Sequence, residues 1–182
     1  MRLGVLDVGS NTVHLQVVET YPGARPNPTS NLKIDLRLIE FVDSNGFIKS
    51  EGIQELKASI KSCIVESKRA KATQLLPFAT SALREAGNGS DVISEINDEF
   101  DIDLQVLSGE EEAHITFLAA RRWFGWSSGR LLMIDIGGGS LELAVGINES
   151  PDAALSLPLG ASRMTKEFLE GDPFSKIGRA HV

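Results

Sequence analysis

Two stretches of the chain repeat one design: Leu6–Val18, LDVGSNTVHLQVV, and Ile134–Gly146, IDIGGGSLELAVG. Each ends an apolar run on an aspartate, makes a tight glycine-containing turn, and resumes with alternating apolar and polar residues. With Asp7 set over Asp135, Gly9 meets Gly137, Thr12 meets Ser140, Leu15 meets Leu143, Val17 meets Val145, and His14 meets Glu142. Val13, Leu15 and Val17 alternate with Thr12, His14 and Gln16, the period of a strand covered on one face. Each copy therefore reads as strand–turn–strand. The repeat is too widely spaced for a solenoid, so the pattern indicates two related domains that open alike.

The turn chemistry narrows the options. A P-loop needs a Gly-Lys-Ser/Thr ending, and neither copy has a lysine. A dinucleotide fingerprint runs from its glycines into a helix, whereas here the following residues alternate like a strand. One alternative is a plain β-hairpin, with glycine making the turn and aspartate capping it. The other is an anion-binding concavity built from successive backbone N–H groups, which needs glycine for positive φ and close approach. Two copies with matched Asp-x-Gly and hydroxyl positions favour the second. An aspartate beside such a turn repels phosphate, so it is expected to hold Mg²⁺ or water between itself and the ligand. Two such turns facing across a cleft would grip a phosphate chain from both sides.

Bulk properties set limits. The 182 residues carry a formal charge of −7, with 42% hydrophobic residues, which marks a globular chain. That acidity argues against a broad nucleic-acid surface and leaves phosphate binding to local donors. Cys63 is the only cysteine, so neither a disulfide framework nor a cysteine-rich metal site is expected. Asp7 interrupts the first apolar run, which reads as neither a signal peptide nor a membrane span. A cytoplasmic protein is expected, with no membrane partner.

Along the chain, LKIDLRLIEF reads as a third strand after the loop TYPGARPNPTSN. Ile53, Leu56, Ile60 and Ile64 mark a helix, TQLLPFA a buried strand, TSALREA a helix start, and Ile93 with Ile96 a short helix. IDLQVL reads as a strand and SGEEEAHITFLAARRWFG as a helix that stops at Gly125. The second hairpin, a strand at DAALSLPL and a helix start at GASRMTKEFL follow. This order gives an α/β fold with an antiparallel opening. IGRAHV, Ile177 to Val182, back-translates to a common sequencing-adapter read-through, so it is expected to be an artefact. The natural gene is then expected to continue past about Lys176.

DVGSNTVHL, ATSALREA, SGEEEA, IDIGGGSLEL and LPLGASRMT stand in the order found in the exopolyphosphatase/guanosine pentaphosphatase family, which the chain resembles from Leu3 to Leu169. The resemblance implies the ribonuclease H-like domain of the actin-like ATPase, sugar-kinase and heat-shock superfamily: a mixed sheet with flanking helices. It places a first domain at 1–126 and the opening of a second, similar, truncated domain at 127–176. The implied activity is release of terminal phosphate from inorganic polyphosphate or guanosine pentaphosphate. An ATP-dependent kinase of the same superfamily is the alternative, as is a fragment that binds phosphate without turnover. Homodimerisation of the full-length protein is an open expectation.

Roles follow residue by residue. The resemblance makes Glu112 the base that activates water. Its neighbours have a simpler use, since Ser108 with Glu111 fits a capping box. Glu142 shares a strand face with Ser140 and is expected to point into the cleft, to bind Mg²⁺ or orient water. Asp7 and Asp135 are expected as metal or water ligands. Gly137, Gly138, Gly139 and Ser140 are expected to donate to phosphate, with Ser10 and Asn11 doing so from the first turn. Arg84, after the helix start at Thr80–Ser81, is either a surface arginine or part of an anion site; the resemblance favours phosphate. Arg163 has a weaker claim. His114 stands where the family often has arginine. Neither it nor His14 has partners at zinc-ligand spacing. Cys63 falls at helical core spacing.

Overall fold

The computed structural model describes residues 1–23 and 27–169. The chain forms two compact units, Met1–Ser108 and Gly109–Val182. The presumed adapter residues lie outside the described part.

The first unit opens with β1 (Arg2–Val8), β2 (Thr12–Glu19) and β3 (Pro28–Asp35), followed by α1 (Ser50–Arg69), β4 (Gln74–Ala79), α2 (Ser81–Glu85), α3 (Gly89–Phe100) and β5 (Gln105–Val106). The sheet order is β3-β2-β1-β4-β5. β1 to β3 run antiparallel, while β4 joins β1 in parallel and β5 joins β4 in parallel. The expected mixed sheet with flanking helices is what forms. β3 lies earlier than the alternation in LKIDLRLIEF predicts. It starts at Pro28, opposite Val18, and Leu38–Phe41 coils into a 3₁₀ turn. A proline N–H is not required at a strand's first residue.

Alternation decides the core. Leu6, Val8, Val13, Leu15 and Val17 are fully or almost fully buried and pack in one cluster with Leu56, Ile60 and Cys63 of α1. Burial pushes the Cys63 thiol up to about 11. Lys57 of α1 is held by Glu95 and Glu99 of α3, which raise its pKa and tie the two helices together.

The second unit contains α4 (Gly109–Phe124), a 3₁₀ turn at Trp126–Ser128, β6 (Leu131–Ile136), β7 (Leu141–Gly146), β8 (Ala153–Leu157) and α5 (Ala161–Phe168). The three strands form an antiparallel sheet in the order β6-β7-β8. α4, assigned above to the end of the first domain, packs on all three of these strands. Ala113 and Phe117 on its inner face meet Met133 and Ala144.

Arg121 locks this arrangement. It is fully buried. Nη1 donates to the Gly125 carbonyl (3.2 Å) and the Ser128 hydroxyl (3.0 Å); Nη2 donates to the carbonyls of Gly129 (2.7 Å) and Gly146 (2.9 Å). The guanidinium thus ties α4 to the turn that follows it and to the end of β7. Arg121→Met removes these donors and leaves buried carbonyls unsatisfied. It is expected to lower the stability of this unit by on the order of 2–3 kcal/mol in urea unfolding, with the first unit's transition unmoved.

Candidate functional site

The two hairpins close identically. Gly9 N–H donates to the Thr12 carbonyl and Gly137 N–H to the Ser140 carbonyl, each at 2.9 Å. The aspartates face matching partners across the strands, Asp7 opposite His14 and Asp135 opposite Glu142. Even the tip carbonyls agree. Asn11 O accepts from the N–H groups of Leu36 and Arg37, and Gly139 O accepts from Gly160 N–H. The repeat read in the sequence is therefore a repeat of structure.

In the first unit, Ser10 is buried and its hydroxyl lies 2.7 Å from that of Ser81. This bond joins the hairpin to the start of α2. Asp7 is half-buried, with Oδ1 out of reach of water. The Arg84 side chain is largely buried; its Nη1 donates to the Leu107 carbonyl at 2.9 Å, and Glu85 lies 3.8 Å from Nη2. Arg84 thus braces the segment leading into SGEEEA. His14 Nε2 lies 2.7 Å from Asn31 Oδ1 on the neighbouring strand.

In the second unit, α5 braces the glycine turn. Ala161 N–H donates to Gly137 O (2.9 Å), Arg163 N–H to Gly138 O (3.1 Å) and Arg163 Nε to Gly139 O (2.9 Å). Carbonyls that would repel a polyanion are thus engaged. The Gly137 N–H, expected to donate to phosphate, is consumed by the hairpin, so this glycine contributes shape rather than a donor. Arg163 holds the turn, a larger part than its sequence position implied.

Asp135, Glu142 and Ser156 stand in one row across β6, β7 and β8. Ser156 Oγ donates to Glu142 Oε1 at 2.7 Å. Ser140 and Glu142, expected to face an open cleft, are 2% and 1% exposed. The reason is α4, which covers the face they share with Ala144. Burial first, and then the charge of Glu142, push Asp135 above its ordinary 3.8. Two neighbouring carboxylates in a desolvated place suit a divalent cation. Among the described residues no group of three or more His, Cys, Asp or Glu could hold a metal. A carboxylate pair is the number of protein ligands that Mg²⁺ takes beside waters and substrate oxygens, fewer than a closed zinc cage needs.

Glu112 lies in the first turn of α4, half-buried, next to fully buried Ala113. His114 Nδ1 lies 2.9 Å from the Glu110 carbonyl, a contact within its own helix.

The sequence of this site also has a family signature. The sequence model of the Ppx/GppA phosphatase family matches residues 17–179. The chain belongs to that family. It is 53% identical to exopolyphosphatase 1 of Mycobacterium leprae over 173 residues, 95% of this chain and 51% of that protein. Identity to exopolyphosphatase 1 of Mycobacterium tuberculosis is 52%, covering 95% and 50%. A solved exopolyphosphatase from Cytophaga hutchinsonii superposes with a TM-score of 0.89 at 28% identity, covering 98% of this chain and 57% of that one. The chain thus spans about half the length of these mycobacterial relatives.

Nothing in the sequence around Ser156 and Gly160 marks either residue for a role. A Cβ on Gly160 would stand 2.3 Å from Gly139 C and 2.4 Å from Ser140 N. Gly160→Ala must therefore displace the turn's backbone, at an expected cost of about 1–3 kcal/mol in urea unfolding.

Asp135 gives a pH test. Its folded pKa is raised, so between 3.8 and that higher value the folded state binds more protons than the unfolded state. Stability from this residue is therefore lost as pH rises through the folded pKa. Asp135→Asn removes the dependence. Its stability relative to wild type is expected to improve from pH 4 upward and then level off, read by denaturant unfolding across pH.

Proposed function

We propose that this chain is part of a hydrolase that removes the terminal phosphate from inorganic polyphosphate, with guanosine pentaphosphate as the second candidate substrate. The observation that carries the reading is the row Asp135–Glu142–Ser156 beside a glycine turn whose carbonyls are engaged by α5. That arrangement sets desolvated carboxylates next to backbone donors. The names of the mycobacterial relatives support the substrate.

Phosphoryl transfer asks a protein mainly for positioning and for stabilisation of charge on the phosphoryl oxygens. Here Gly138, Gly139 and Ser140 bind those oxygens through their N–H groups. In the first unit, the turn at Ser10 and Asn11 offers the same kind of donors, and Arg84 supplies local positive charge. Asp135 and Glu142 would hold Mg²⁺, with Ser156 orienting Glu142; in the first unit, Asp7 would be a ligand of the same type. An ion bound at Asp135 and Glu142 would supply neutralisation of phosphate charge. Glu112 accepts the proton of the attacking water. Water attacks the terminal phosphorus, the anhydride P–O bond breaks, and the shortened chain leaves with orthophosphate as the other product. We also infer a cytoplasmic setting, in keeping with the buried free thiol of Cys63; no described helix is long and apolar enough to cross a membrane. A homodimer of the longer protein remains part of this proposal.

The deciding measurement is orthophosphate release from polyphosphate and from guanosine pentaphosphate with Mg²⁺. It is made on this chain and on the chain joined to the remainder of the Mycobacterium leprae relative. Glu112→Ala is expected to lower turnover in the active form by roughly 10²–10⁴-fold. Full activity of the variant would remove Glu112 as the base, and strict dependence on ATP with a phosphorylated product would make the protein a kinase.

A further inference from the structure

Leu36 and Arg37 clasp the tip of the first hairpin. Their N–H groups donate to the Asn11 carbonyl at 2.8 and 2.9 Å. Leu36 and Leu38 are buried on either side of Arg37, so the backbone that carries the arginine is pinned beside the turn. The second unit builds the same clasp without a side chain. Val13 pairs with Ile34, and its counterpart Leu141 pairs with Leu157; three residues on from each partner stand Arg37 and Gly160. Gly160 N–H donates to the tip carbonyl of Gly139, and a Cβ there would run into the turn's own backbone.

Arg37 has φ 51° and ψ 49°, in the left-handed region. A Cβ makes that region costly, whereas glycine and asparagine take it readily. Among the described residues, Lys71 and Asp101 are the other non-glycine residues with positive φ. They follow the ends of α1 and α3, where a left-handed residue is an ordinary helix stop. Arg37 stands instead at the exit of β3. The fold asks little of its guanidinium. The side chain makes no cap to the 3₁₀ turn that it precedes. It pairs with Glu40 at 3.5 Å, and the two side chains are 70% and 62% exposed; an ion pair so placed stabilises little. The position thus accepts a strained backbone for a long cation that the packing barely uses. Strain of this kind gathers at ligand sites.

We propose that Arg37 is a substrate-binding residue of the first turn. Its guanidinium takes two oxygens of one phosphate in a polyphosphate chain, while the N–H groups at Ser10 and Asn11 hold the adjoining phosphate. The proposal rests on the phosphate-chain reading given above and adds a residue to it. A guanidinium is always charged, and its planar fork matches two phosphate oxygens. In a chain of formal charge −7, a polyanion needs such local cations. Arg84 is largely buried, and its Nη1 is engaged by the Leu107 carbonyl. Arg37 lies in water, where the remainder of a long substrate must trail. Its phosphate is therefore a non-terminal one.

Calorimetry with tripolyphosphate tests this, on the chain joined to the remainder of the Mycobacterium leprae relative. Arg37→Gly and Arg37→Asn suit the positive φ, so both are expected to match or exceed wild type in urea midpoint. Both are expected to bind tripolyphosphate roughly 10–100-fold more weakly, the loss that goes with hydrogen bonds to a charged group. Arg37→Lys keeps the charge without the fork and should fall between them and wild type. Glu40→Gln removes the ion pair and should bind as well as wild type or better. A merely structural arginine would behave differently: its variants would lose stability, and binding would fall only in step with that loss. Undiminished tripolyphosphate binding by Arg37→Gly overturns the proposal, as does a loss of binding that Glu40→Gln reproduces. Binding by wild type without release of orthophosphate would sink the hydrolase reading and leave the Arg37 result standing. Failure of wild type to bind tripolyphosphate removes both.

Discussion

A single short hydrogen bond, made twice, governs the layout of both units. The N–H of Gly9 reaches the Thr12 carbonyl, and that of Gly137 reaches the Ser140 carbonyl. Each bond fixes where its hairpin folds over, and because side chains alternate along strands, that choice sets which residues share a face. In the first unit it assigns Leu6, Val8, Val13 and Leu15 to the core. In the second it places Asp135 and Glu142 side by side on the face opposite the apolar one. A register slip of one residue would exchange the carboxylates with Ile134 and Leu143, burying the wrong chemistry under α4.

The second unit accepts an electrostatic cost in that arrangement. Burial of Asp135 first, and then repulsion from the adjacent Glu142 carboxylate, shift its pKa upward. Ser156 offsets part of the cost by donating to Glu142. The α5 N-terminus and Arg163 act on the turn in the complementary sense, occupying the carbonyls of Gly137, Gly138 and Gly139. Negative groups are thus concentrated in the carboxylate row and masked at the turn.

Much of the fold was legible because its signals are local. Alternation from Thr12 to Val17, helical spacing from Ile53 to Ile64, and the paired Asp-x-Gly turns each announce themselves within a few residues. The miss at β3 has the same origin: Thr29 and Ser30 pair by hydrogen bonds to neighbours, not by hydrophobic pattern. Ser30 reaches Glu66 and Thr29 reaches the Val17 carbonyl. The depth of Glu142 was not legible, since it depends on α4 joining the second sheet, a tertiary choice decided by Ala113 and Phe117 against Met133 and Ala144. Ser156 and Gly160 were hidden for a related reason. Their importance lies in what stands across a strand or behind a turn, and nothing in SLPLG names those neighbours.

Arg121 leaves the second unit with a mechanical property. One guanidinium gathers acceptors from the helix end, the 3₁₀ turn and the last residue of β7, with the Phe117 ring 5.8 Å away. A rivet through three pieces allows neither sliding nor rolling between them. Thermal displacement of Glu112, two and a half helical turns upstream or roughly 13 Å along the axis, is therefore that of a lever clamped at its far end, stiff in translation and free to bend only near its tip.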